Sequence, residues 1–190
     1  GDVADFDNDG DDDVILQCYN KYCFGDPNEQ YYAERHGDYD FDPVGVDSSN
    51  GFVLINQDGD FDMANVIHFP KTPLKTNTKN DDMHIGDLNG DGLVDVVNVY
   101  GKSDPYYVDR KIQILINNNG TSLVDETDSR MPSDSRDDNS GHAEGLIMLI
   151  DYDGDGDLDI YDLQAGVREG VYQDRQADYP YGKNGEAVFI

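Results

Sequence analysis

Asp151-Tyr152-Asp153-Gly154-Asp155-Gly156-Asp157-Leu158-Asp159 sets an acidic residue at every second position and a glycine at the sixth. Hard divalent cations take several oxygen ligands at about 2.3–2.6 Å, and alternate positions of a tightly turned loop can supply them. Read this way, Asp151, Asp153, Asp155 and Asp159 present carboxylates and Asp157 its main-chain carbonyl. Gly156 stands where a sharp turn favours a residue without Cβ. The same frame occurs twice more: Asp5, Asp7, Asp9, Asp13 with Gly10 and the Asp11 carbonyl, and Asp87, Asn89, Asp91, Asp95 with Gly92 and the Leu93 carbonyl. Turn preferences alone account for a single Asp/Gly cluster. Three copies in one register point to three calcium ions. Carboxylates about 4 Å apart repel by roughly 4 kcal/mol per pair at an effective dielectric near 20, so such a loop opens without its ion and closes around it.

The residues that follow each loop decide what the loops connect. Val14-Ile15-Leu16 is β-branched and apolar, which predicts strands on both sides. An EF-hand needs flanking helices and a Glu at its twelfth position, where this chain has Leu16, Asn98 and Asp162. The loops begin at Asp5, Asp87 and Asp151, too far apart for that motif or for a dockerin-like pair.

From the first loop outward, residues 17–50 form a Tyr-rich excursion with Pro27 and Pro43 and a second acidic cluster at Asp38, Asp40 and Asp42. Long excursions of this kind sit on rims, where binding surfaces concentrate. Residues 51–69 predict a hairpin with its turn at Asn56-Gln57-Asp58-Gly59, and 70–82 a polar connection. A strand over 94–100 follows the second loop. Residues 111–116 and 122–126 then make another hairpin around Asn117 to Gly120. After a polar stretch over 127–142, the run 145–150 is the most hydrophobic in the chain and reads as the innermost strand of its unit. Residues 163–171 have partial helical character. Glu186-Ala187-Val188-Phe189-Ile190 takes the place of Phe52-Val53-Leu54-Ile55-Asn56 and of residues 112–117.

The unit is therefore strand, acidic loop, strand, excursion, strand, Asn/Gly turn, strand. Four antiparallel strands recurring at this period predict an all-β chain of consecutive propeller-type blades. The divisions are 1–82, with its insertion at about 17–50, then 83–146, and 147–190 without a last strand. The stretches 3–14, 85–96 and 150–160, with the hairpin strings Val-Leu-Ile-Asn-Gln-Asp-Gly and Ile-Leu-Ile-Asn-Asn-Asn-Gly, resemble FG-GAP/VCBS repeats. That resemblance implies calcium in the hairpin loops and an extracellular or cell-surface role in adhesion, ligand recognition or scaffolding. A closed propeller has four to eight blades. About three units leave two alternatives: a piece of a larger propeller, consistent with a start at Gly1 rather than Met, or a subunit whose open β-edges are filled by neighbouring copies.

Composition narrows the partners. The 190 residues carry a formal charge of −28, which argues against nucleic acid and anionic membranes, and three dications would leave the chain strongly acidic. No run reaches the ~18–20 apolar residues of a membrane span. Cys18 and Cys23 read as a short-loop disulfide in an extracellular setting, with a metal pair as the alternative. Asn119-Gly120-Thr121 is a glycosylation sequon. Tyr31, Tyr32, Tyr39, Tyr106, Tyr107, Tyr179 and Tyr181 fall in the excursions, where they offer glycan-stacking faces or pack their own loops. His36, His68, His84 and His142 are scattered, and no acid pair stands out among 41 carboxylates, so the reading is non-catalytic. The expected partners are other copies of the chain, or an extracellular protein or glycan.

Overall fold

The computed structural model describes residues 1–17, 51–71, 78–102, 108–130, 147–162 and 187–189. Strands β1 (Asp2–Ala4), β2 (Asp13–Gln17), β3 (Gly51–Gln57) and β4 (Asp60–His68) form a four-stranded antiparallel sheet in chain order. Strands β5 (Thr78–Gly86), β6 (Asp95–Lys102), β7 (Val108–Asn117) and β8 (Leu123–Asp125) repeat it. Strands β9 (Ile147–Ile150), β10 (Asp159–Asp162) and β11 (Ala187–Phe189) make the third sheet, which has three strands among the described residues. Each acidic loop joins the first strand of a sheet to the second.

Registers make the repeat exact enough to compare positions. Val14 pairs with Leu54, Val96 with Leu115 and Ile160 with Phe189. Phe189 thus takes the place of Leu54, one residue away from the end-to-end match expected for 186–190. Both hairpin turns are tight because two successive residues adopt positive φ, Asp58 (55°) with Gly59 (89°) and Asn119 (51°) with Gly120 (68°). That backbone twist matches the twist of the flanking strands. Asn56 and Gln57 are therefore still paired strand residues, and the turn itself is shorter than the four residues expected.

Two further elements differ from expectation. Strand β5 begins at Thr78, inside the stretch expected as connection, because a bulge between Asn80 and Asp82 lets its ladder with β6 run on to Lys102. The division expected at 82/83 therefore falls within a strand. A single helical turn, α1 (Thr127–Arg130), follows β8 where only a polar link was expected. It is anchored by Thr127, whose buried hydroxyl accepts the Ile114 N–H at 2.8 Å.

The sheets stack face to face. Consecutive apolar residues such as Val96-Val97 and Ile114-Leu115-Ile116 give a strand two apolar faces, so the middle sheet can bury both. Ile15, Val53 and Ile55 of the first sheet meet Val96, Leu115 and Leu123 of the second. The other face of the second sheet, with Val97, Ile114 and Ile116, meets Ile147 and Ile160 of the third. Gly86 marks a close approach of the second and third sheets, since a Cβ there would lie 2.5 Å from Leu158 and 3.3 Å from Leu149. Among the described residues there is no closed ring of sheets, and no helix is long and apolar enough to cross a membrane. The expectations for Cys18 and Cys23, for Asp38, Asp40 and Asp42, for the seven rim tyrosines, for His36 and His142, and for 163–171 lie outside the described residues.

Candidate metal centres

The three loops share one backbone path, dictated by their glycines and carboxylates. Gly10, Gly92 and Gly156, each sixth in its loop, have φ of 101°, 86° and 105°, a region that side chains with Cβ rarely adopt. The first acid of each loop gathers backbone N–H groups. Asp5 accepts from Asp9 and Gly10 at 3.0 Å, Asp87 from Gly90 and Gly92 at 2.8 Å, and Asp151 from Gly154 at 2.7 Å.

Asp5, Asp7 and Asp13 each place a carboxylate oxygen within 4.8 Å of the others, and Asp151, Asp153 and Asp159 do the same. These are hard oxygen donors, converging from the first, third and ninth positions, and they fit a metal ion such as calcium. In the second loop Asn89 stands third, so an amide replaces one acid; its Oδ1 accepts the Asp91 N–H and its Nδ2 donates to the Asp91 carboxylate, both at 3.0 Å. The fifth-position acids Asp9 and Asp155 stay outside the two three-acid groups and turn instead to their own loops. Asp9, Asp91 and Asp155 accept the N–H of Asp11, Leu93 and Asp157 at 2.9, 2.8 and 3.2 Å.

The ninth-position acid has a second task that loop spacing alone did not reveal. Asp13, Asp95 and Asp159 are buried. Asp13 accepts the N–H of Phe6 at 2.8 Å on one oxygen and that of Asn56 at 2.7 Å on the other. Asp95 accepts from Leu88 at 2.9 Å and Asn117 at 2.8 Å. Asp159 accepts from Tyr152 at 2.8 Å. In the first two sheets one carboxylate thereby ties the loop to the hairpin.

Asn56 and Asn117 complete that bracket. Their side-chain carbonyls accept the turn N–H of Gly59 (2.8 Å) and Gly120 (2.7 Å). Their amides donate to main-chain carbonyls, Asn56 to Asp12 at 3.1 Å, and Asn117 to Val94 at 3.1 Å and to Phe6 of the preceding sheet at 2.8 Å. The recurrent Ile-Asn before each turn was the available signal; only its hairpin meaning was legible.

Crowding raises the cost of negative charge. Burial pushes the Asp95 carboxyl up to about 6, against the stabilising N–H groups of Asn117 and Leu88 and with added repulsion from Asp91 and Asp87. Asp7 is also raised, first by burial, then by the charges of Asp13 and Asp9. Asp157 is pushed up to about 6 by its hydrogen bond to the Asp155 carboxyl, which is itself held low by the same bond. A bound dication would supply the compensating charge that these groups lack.

Residues 87–161, which span the second and third loops, match the family described as FG-GAP-like repeat. Neither the curated proteins nor the solved structures contain a match to the chain.

Proposed function

We propose that this chain is a non-catalytic, calcium-stabilised repeat protein of the extracellular space or cell surface, serving adhesion or structural assembly. Each of its three loops holds one calcium ion, including the second, where Asn89 contributes an amide oxygen. The sheets act as propeller-type blades. Repeats of the matched family are generally non-catalytic, although enzymes can carry them.

The observation that carries the reading is the double use of Asp13 and Asp95. Each closes an acidic loop and brackets a hairpin with the same carboxylate, so ion occupancy and sheet integrity share one group. At extracellular affinities on the order of 10⁻⁴–10⁻³ M, each ion adds roughly 1–1.5 kcal/mol when free calcium is about tenfold above Kd. Three such increments are a large share of the stability of a small repeat array.

Among the described residues β1, β4, β5, β8, β9 and β11 each have a strand neighbour on one side only, and such edges favour contact with neighbouring chains. The alternative, a glycan- or protein-binding portion of a larger propeller, draws on the rim tyrosines. Calorimetric titration of the chelated chain with calcium tests the proposal, paired with thermal melting. Three ions per chain and a higher melting temperature are expected. A chain that takes up no calcium, or melts alike in calcium and chelator, would overturn it.

A further inference from the structure

The two sheet boundaries inside the chain are built from the same repeat positions. At the second position of the acidic loop, Phe6 points into the second sheet and is fully buried, and Leu88 points toward the third and is 6% exposed. The corresponding residue of the third loop is Tyr152, which is 61% exposed, with Met148 and Ile150 also exposed on the strand before it. On the receiving side, Ile85 and Leu149 pack against the preceding sheet, and so does Leu123. Their counterparts in the first sheet are Val3, 58% exposed, and Phe61, 46% exposed. Val14 and Leu54 are likewise only partly buried where Val96 and Leu115 are sealed.

We infer that the Tyr152 face of the third sheet docks on the Val3–Phe61 face of the first sheet in a second copy of this chain, by the contact already made twice inside each copy. Among the described residues these two exposed faces are the complementary halves of the interface that the chain makes twice. Asn56 supplies the polar part. Asn117 spends its amide hydrogens on Val94 and on the Phe6 carbonyl across the boundary. Asn56 makes the equivalent of the first bond, to Asp12, and its other hydrogen has no acceptor among the described residues. In the docked pair it reaches the main-chain carbonyl of Tyr152, the repeat equivalent of Phe6. Sizes agree as well: Gly86 faces Leu149 and Leu158, whereas the larger Ile150 meets the shorter Val3 and Asp12 at the same positions.

This is a contact between sheet faces, distinct from pairing along open edges. Because the two surfaces differ, it is heterologous, and it either closes or propagates. Three sheets from each of two copies make six, within the four to eight of closed propellers. The inference rests on the calcium reading only insofar as closed third loops present Tyr152 in place.

Sedimentation velocity of the full chain in calcium, across a concentration series, tests it. Dimers or larger species are expected for the unmodified chain. Phe61→Asp, which lies in no acidic loop, and Tyr152→Asp are each expected to weaken association more than about tenfold, as for a central aromatic anchor. Mixed together, the two variants retain one intact face each and should form a one-to-one dimer that grows no further. Calorimetry on the same samples separates the two readings. A chain that binds calcium yet stays monomeric, or variants that associate like the unmodified chain, would overturn the docking and leave the calcium loops standing. Association without calcium uptake would support the docking and count against the calcium reading alone.

Discussion

The buried carboxylate of Asp95 accepts the backbone N–H of Asn117 at 2.8 Å, and Asp13 repeats the bond with Asn56 at 2.7 Å. In both sheets the acidic loop is thereby held against the hairpin of the same sheet. Loss of this bond and loss of the ion should therefore be separable by substitution.

Asp95→Asn keeps the shape but turns an amide donor toward two backbone donors, Leu88 and Asn117, only one of which can find the remaining oxygen. Leaving a buried N–H unsatisfied costs about 1–3 kcal/mol, more where the lost acceptor was charged. Urea unfolding should show destabilisation of that order in chelator as well as in calcium. Equal stability of variant and parent in chelator would contradict the bracket.

Asp153→Ala behaves differently. Asp153 belongs to a three-acid group and is exposed, and its loop bond to Asp155 is long at 3.2 Å. The variant should melt at a lower temperature in calcium, by the equivalent of roughly 1–1.5 kcal/mol, and be unchanged in chelator. Equal losses in both media would remove Asp153 from the ligand set.

Gly120→Ala tests the contact between the second sheet's hairpin and the first loop. A Cβ there would lie 2.5 Å from the Asp7 Cα, and its φ is +68°. Backbone cannot yield cheaply, so a loss of about 1–3 kcal/mol, with weaker calcium binding at the first loop, is expected. Gly59→Ala has φ of +89° with nothing within 4 Å. It should cost only the conformational part, about 1 kcal/mol. Denaturant unfolding of the two variants side by side decides the matter; equal losses would exclude a steric clash at Gly120.

The pH response follows from Asp95. Its carboxyl rises from 3.8 to about 6 in the metal-free fold, so the fold binds more protons than the unfolded chain between those values. The stability this contributes is fully present below about 3.8 and is lost as pH rises through about 6. Calcium selects the deprotonated form, so the gap in melting temperature between calcium and chelator should widen from pH 5 to pH 7. Asp157, also raised to about 6, adds to that trend. Differential scanning calorimetry across this range checks it, and a gap that is flat or narrows with pH would contradict the assignment.

Acid spacing and glycine placement are properties of a few successive residues, so the three loops and the strands beside them could be read without a structure. The sixth-position glycines and the Asp-Gly and Asn-Gly turns adopt the positive φ that their residue types announce. Apolar runs such as Phe52 to Ile55 likewise announced strands, but not what each face meets. Nothing near Asp13 or Asp95 in the chain tells that their carboxylates serve Asn56 and Asn117, which lie 43 and 22 residues away. The same holds for the Asn117 amide and the Phe6 carbonyl, 111 residues apart. Local turn geometry is set by φ preferences within the loop. The brackets and the sheet order arise only when register and burial bring distant polar groups together and leave each needing a partner.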